Sequence, residues 1–315
     1  MRIVLLESLG IPDSLLQELT APLTAAGHTF LSYERTTDEA RLIGECREAD
    51  VLMLANMPLP GSVIRACENL KYINIAFTGV DHVDMAAAKE KGVAVSNAAG
   101  YATQAVAELT IGQMISLLRN VNSTEFQCRR GGTKNGLVGS ELGGLTVGVI
   151  GTGAIGQRVA QLCGAFGCQV LGYAPRPKEA AKQWLRYVSL EELLRQSDIV
   201  TLHCPLTEEN RGMIGPEELR LMKPGAYLVN MARGPVVDSE ALAAALNEYR
   251  LSGAAIDVFE QEPPIPQQHP LLNARNCRVT PHIGFASQQS MALRARIVFD
   301  ALQGWLEGRA VNRVL

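Results

Sequence analysis

Short, continuous apolar runs alternate along this chain with stretches of helical spacing. "RIVLL" (2–6), "VLML" (51–54) and "YINIA" (72–76) read as buried strands. A helix starts near Asp13 after the first, and "GVDHVDMAAAKEKG" supplies turn and helix after the third. Runs that are apolar throughout, rather than at every second position, belong to strands covered on both faces, as in a parallel sheet. From Ala102 to about Arg119 the pattern predicts a long helix. Ala107, Ile111, Met114, Ile115 and Leu118 share one face, and the opposite face is largely apolar too. Such a helix is buried and suits a place between domains or subunits. "RRGGTKNGLVGSELGG" (129–144) carries no period and reads as an irregular surface segment.

A second alternating series opens at "TVGVI" (146–150). It continues through "QVLGY" (169–173), "IVTL" (199–202), "AYLVN" (226–230), "AAIDV" (254–258) and "CRVT" (277–280). A closing helix from about Ser287 to Glu307 carries Met291, Val298, Leu302 and Trp305 as its apolar stripe. The expected fold class is therefore α/β, with two doubly wound parallel-sheet units.

Length and composition narrow this further. A chain of 315 residues, 47% apolar and 19% charged, can fill two cores of ordinary size. A net charge of −3 offers no basic surface for nucleic acid. No apolar run approaches the roughly 18 residues needed to span a bilayer. "MRIVLLESLG" is interrupted by Glu7 too soon for a signal peptide. Seven cysteines, an odd number without a CxxC pair, read as reduced thiols in the cytoplasm, with no metal site expected.

Chemistry enters at the start of the second series. "VGVIGTGAIG" places Gly151, Gly153 and Gly156 between an apolar strand and a helix, with another strand following closely. A bare GxGxxG is weak, but in this setting it predicts a dinucleotide site. Gly151 permits the tight turn. Gly153 lets backbone approach a pyrophosphate at the helix N-terminus, and Gly156 permits close packing of helix on strand. At the end of the next strand, "GYAPRPKEA" has Ala174 where a carboxylate would bind the ribose 2′-OH of NAD, followed by Arg176 and Lys178. Two cations and no carboxylate favour NADP(H). The competing reading is that both are solvated loop charges and NAD(H) is used.

Three polar residues follow the last three strands: Arg233 in "MARGP", Glu262 in "FEQEPP" and His282 in "PHIGFAS". On parallel strands they emerge along one sheet edge, where α/β folds bind ligands. Reduction of a 2-oxo acid calls for such a set. Histidine donates the proton, a carboxylate supports and orients it, and a guanidinium grips the substrate carboxylate and polarises the carbonyl. Taken singly, His282 could be a structural group, Arg233 a turn cap and Glu262 a surface acid.

With "GVIGTGAIG", "LHCPLTEENRGMIG", "MKPGAYLVNMARGPVVD", "GAAIDVFEQEPP" and "TPHIGFAS" in this order, the chain resembles the D-isomer-specific 2-hydroxyacid dehydrogenases over essentially its full length. The resemblance implies a catalytic arginine, glutamate and histidine at Arg233, Glu262 and His282. It implies a flavodoxin-like substrate domain (1–98, with 286–315 returning to it) into which a Rossmann cofactor domain (99–285) is inserted, with a cleft between them. It places Ala154, Ile155, His203, Cys204, Pro205 and Ala232 against the cofactor, together with Arg233, His282 and the glycines. Asp257 falls near the nicotinamide amide and Thr103 faces the nicotinamide end. In "FTGVDHVD", Thr78 and the amides of Gly79 and Val80 would bind the substrate carboxylate. The look is closest to hydroxypyruvate and glyoxylate reductases, and a homodimer formed through the cofactor domain is expected.

Two alternatives stand beside this. One is a phosphoglycerate- or phosphite-type dehydrogenase, against which the neutral "LANMPLP" (54–60) argues, since a phosphorylated substrate needs cations at its mouth. The other, from a different class, is a nucleotide-sensing corepressor-like protein, which would bind NADPH with negligible turnover of glyoxylate or hydroxypyruvate. His28 and His269 read as loop or surface groups and His82 as structural.

Overall fold

A computed structural model describes residues 1–315. It divides into two compact units, Met1–Ala102 with Ala286–Leu315, and Thr103–Phe285. Ala99–Ala102 thus lie on the smaller unit's side of the division.

The smaller unit is built on β1 (Arg2–Leu5), β2 (Thr29–Ser32), β3 (Val51–Leu54), β4 (Tyr72–Ile75) and β5 (Ala94–Asn97). All pairings are parallel, in the order β2-β1-β3-β4-β5, the flavodoxin-like arrangement. Every residue of β3 and β4 is buried, which explains their unbroken apolar runs. The closing helix Gln288–Leu306 belongs to this unit. Trp305 stacks on Tyr72 of β4 at 4.7 Å with the rings 4° from parallel. The Asn74 side-chain NH2 donates to the carbonyl of Val298 at 2.6 Å, a buried polar tie between β4 and that helix.

The larger unit carries β6 (Thr146–Ile150), β7 (Gln169–Tyr173), β8 (Arg186–Tyr187), β9 (Ile199–Leu202), β10 (Tyr227–Asn230), β11 (Gly253–Ile256) and β12 (Cys277–Val279). These form one parallel sheet in the order β12-β11-β10-β9-β6-β7-β8. One face of this sheet, with Val200, Leu202, Leu228 and Ile256, packs into a core completed by Leu193, Leu219, Leu242 and Leu246. The helix Thr103–Leu118 buries Val106, Ala107, Ile111, Met114, Leu117 and Leu118, as its apolar circumference demands.

Three strands carry no sequence signal of their own: β2, β5 and β8. β2 and β8 lie at sheet edges and are half-exposed, so neither needs a continuous apolar run. At β11 the strand ends at Ile256, short of the "AAIDV" run, because Asp257 turns its backbone and side chain to the next connection. The irregular stretch 129–144 is preceded by a helix, Val121–Arg129, none of whose residues is buried. No helix is long and apolar enough to cross a membrane.

Candidate active site

The larger sheet reverses its winding direction between β6 and β9, and both strands end at the glycine turn. Gly151 has φ +90, and a Cβ on it would fall 2.5 Å from the Cys204 nitrogen. Only glycine lets the segment after β6 lie against His203–Cys204 after β9. A Cβ on Gly156 would lie 2.0 Å from the carbonyl oxygen of Gly151, so the helix Ala154–Ala165 closes tightly on the turn. Gly153 caps that helix and has nothing within 4 Å of an added Cβ. Open space over a helix N-terminus suits an anionic pyrophosphate, so the turn fits a dinucleotide. Ala154 and Ile155 open the helix. Thr103 begins the other long helix of the unit, Thr103–Leu118.

His203 is half-buried, and desolvation of its ring drives its pKa down to about 3. It is a neutral imidazole whose Nε2 pairs with the Thr201 hydroxyl at 2.9 Å. Burial pushes the neighbouring Cys204 thiol up to about 11. At the end of β7, Ala174 is followed by Arg176 and Lys178, both exposed and neither in an ion pair.

β10, β11 and β12 are neighbours in the sheet, so their C-terminal ends lie side by side at about 4.8 Å spacing. After β10, the buried Asn230 shapes the turn: its side chain donates to the Arg233 carbonyl at 3.0 Å and accepts from the Ala232 amide at 3.0 Å. Arg233 itself is half-buried and donates from Nη1 to the Ala232 carbonyl at 2.8 Å. A Cβ on the next residue, Gly234, would fall 1.9 Å from the Phe259 carbonyl carbon, so the Arg233 turn rests directly on the segment leading to Glu262.

Glu262 and His282 meet. The imidazole Nδ1 lies 2.8 Å and 3.0 Å from the two carboxylate oxygens. The ring is edge-on to Phe285 at 5.3 Å. His282 takes φ +56, a left-handed conformation uncommon for a side chain of this size. Asp257 holds it there. Its main-chain carbonyl accepts from the His282 amide at 2.8 Å. Its carboxylate accepts from the Ile283 amide at 2.9 Å, the Gly284 amide at 2.7 Å and the Thr280 hydroxyl at 2.5 Å. Burial raises the Asp257 pKa even though these donors favour its charged form.

The loop bearing Glu262 is fastened at both ends. Glu260 accepts from the Ser239 hydroxyl at 2.5 Å and pairs with His269 Nε2 at 2.8 Å. His269 also packs edge-on against Phe259 at 5.1 Å. It is thus a loop residue, as its sequence context suggests, but a mostly covered one that anchors the segment. His28 sits against the N-terminal ammonium, and His82 lies edge-on to Phe77.

In the smaller unit, Thr78, Gly79 and Val80 follow β4. The Thr78 carbonyl accepts from the buried Asn97 side chain at 2.7 Å, which fixes the turn. Within the unit, the Gly79 and Val80 amides take no part in the turn's own hydrogen bonds. No group of three or more His, Cys, Asp or Glu gathers in a metal-holding arrangement.

The profile of the family described as "D-isomer specific 2-hydroxyacid dehydrogenase, NAD binding domain" matches residues 111–284. The chain belongs to the D-isomer-specific 2-hydroxyacid dehydrogenases. It is an oxidoreductase of that family, whose members use a nicotinamide dinucleotide. It is 34% identical to a hydroxypyruvate reductase of Blautia hydrogenotrophica over 304 residues, covering 93% of each chain. It is 37% identical to a D-3-phosphoglycerate dehydrogenase of Methanocaldococcus jannaschii, covering 97% of this chain but only 58% of that protein. The solved structure of TT0316 protein from Thermus thermophilus superposes with a TM-score of 0.89 at 35% identity, covering 100% of both chains.

The folded dehydrogenase keeps His203 neutral down to about pH 3, whereas an unfolded chain protonates histidine near pH 6.5. Between those values the unfolded state binds the extra proton, so stability declines as pH falls through that window, by about 1 kcal/mol per pH unit. The urea midpoint of His203→Asn should therefore change less between pH 7 and pH 5 than that of the unmodified protein. Equal changes would refute the assignment.

Proposed function

We propose that this dehydrogenase reduces a small 2-oxo acid of the glyoxylate or hydroxypyruvate kind to the D-2-hydroxy acid, reversibly, with NADP(H) preferred over NAD(H). The larger unit serves as the dinucleotide domain and the smaller as the substrate domain. The observation that carries the reading is the Glu262–His282 pair, 2.8 Å apart, on the same sheet edge as the glycine turn.

A bound nicotinamide supplies the hydride. The glycine turn would hold its pyrophosphate at the helix N-terminus, and His203, Cys204, Pro205, Ala232 and Asp257 would be further residues lining the cofactor. Glu262 occupies Nδ1 of His282, so Nε2 is the atom that gives a proton to the carbonyl oxygen as charge grows there. The carboxylate also stabilises the imidazolium and sets the plane of the ring. Arg233 offers a two-pronged grip on the substrate carboxylate and polarises the carbonyl, a contact that strengthens toward the transition state. In the smaller unit, the Gly79 and Val80 amides, with Thr78, are the candidate donors to the substrate carboxylate.

NADP(H) preference rests on Ala174, which brings no carboxylate to repel a 2′-phosphate, and on the unpaired, exposed Arg176 and Lys178. A homodimer is supported by the segment after the long helix, which exposes Val121, Phe126 (57%) and Val138 (80%). The seven free thiols suit the reducing cytoplasm.

His282→Ala should lower kcat by about 100-fold or more with NADPH binding retained, as read by fluorescence titration, while Arg233→Ala should raise KM and lower kcat together. A His282→Ala enzyme with unchanged kcat would remove the proton-donor role. For the cofactor, kcat/KM with NADPH should exceed that with NADH by at least about tenfold, and a tenfold preference for NADH would reverse the assignment. Light scattering at micromolar concentration should give twice the chain mass, and a monomer would overturn the dimer.

A further inference from the structure

The smaller sheet has its own reversal of winding, between β1 and β3. Crevices for ligands in open α/β sheets form at this point, outside the carboxyl ends of the strands. Three side chains from three strand ends meet there. Glu7, just beyond β1, is 4% exposed. Its Oε1 accepts from the amides of Ala55 and Met57, each at 2.8 Å, which pins the segment after β3. Its Oε2 accepts from Arg35 Nη1 at 2.9 Å, and the same Nη1 reaches Asn56 Oδ1 at 2.9 Å. Arg35 comes from the end of β2, and its side chain is 42% exposed.

An exposed arginine is ordinarily a mobile, solvated charge. Arg35 is different, because a buried carboxylate already held by two amides sets where its guanidinium points. One nitrogen is spent on Glu7 and Asn56, while Nη2 and Nε donate to nothing in the protein. The result is a fixed pair of donors at the sheet edge. A cation is thus present beside "LANMPLP", although that segment has none of its own; it arrives from another strand.

The turn Thr78–Val80 follows β4, one strand spacing of about 4.8 Å from the end of β3. We propose that Arg35, held in place by Glu7 and Asn56, reads an oxygen on C3 of the substrate, a hydroxyl or a phosphate ester. This rests on the reading above, in which the substrate carboxylate sits on Gly79 and Val80. From that anchor the C3 substituent lies along the sheet edge toward Asn56 and Arg35. Glu7 is a positioning residue, holding both the guanidinium and the Asn56 loop.

The test compares three 2-oxo acids on one carbon skeleton: pyruvate, hydroxypyruvate and 3-phosphooxypyruvate. In the unmodified enzyme kcat/KM for at least one oxygen-bearing substrate should exceed that for pyruvate by about tenfold or more. In Arg35→Met that ratio should collapse toward one. The ratio is independent of the fraction of active protein, so partial misfolding does not obscure it, and Asn56→Leu gives a second reading if Arg35→Met does not fold. Whichever of the two substrates loses more identifies a hydroxyl or a phosphate as the group read. Pyruvate reduced as well as both others, or a ratio unchanged in both variants, overturns the proposal while leaving the reductase reading intact. Failure to reduce any of the three with either cofactor overturns both.

Discussion

The Asp257 carboxylate governs the geometry of the candidate site. It is buried at the end of β11 and receives two amides and a hydroxyl from the connection after β12. Those bonds impose the left-handed backbone at His282, which would otherwise relax toward an extended conformation. The imidazole reaches Glu262 only because this turn is closed. Glu262 in turn stands on a loop fastened by Glu260 to Ser239 and His269. Imidazole, carboxylate and guanidinium are therefore placed by short connections off three adjacent strands.

The two sheets use the same topological device for different ends. In the larger unit the reversal between β6 and β9 forces a glycine at 151 and leaves a helix N-terminus uncovered for an anion. In the smaller unit the reversal between β1 and β3 is filled by the Glu7 carboxylate, which knits two strand ends and directs Arg35. Doubly wound sheets gather strand ends from distant parts of the chain, and each unit here turns that gathering into a set of aimed donors.

Much of this was legible in the residues. The glycine turn, Arg233, Glu262 and His282 lie in short segments next to apolar strands, so periodicity and local motif locate them together. The edge strands β2 and β8 were not legible, because a half-exposed strand has no period-independent apolar run. Nor was the Glu7–Arg35–Asn56 group, since only the order β2-β1-β3 places those positions side by side. Glu7 is conspicuous in the sequence merely as an interruption of an apolar run. His269 shows the same limit: its covered position depends on the path of the loop from Phe259, which no local pattern encodes.

The contact between Gly234 and Phe259 leaves no room for even a methyl group. Through it, the arginine's turn and the glutamate's loop share a rigid backbone seam. A change that shifts one of them drags the other along, and with it the alignment of the Glu262–His282 pair. Neither connection is therefore free to change its path alone, and variation at these two strand ends has to be paired.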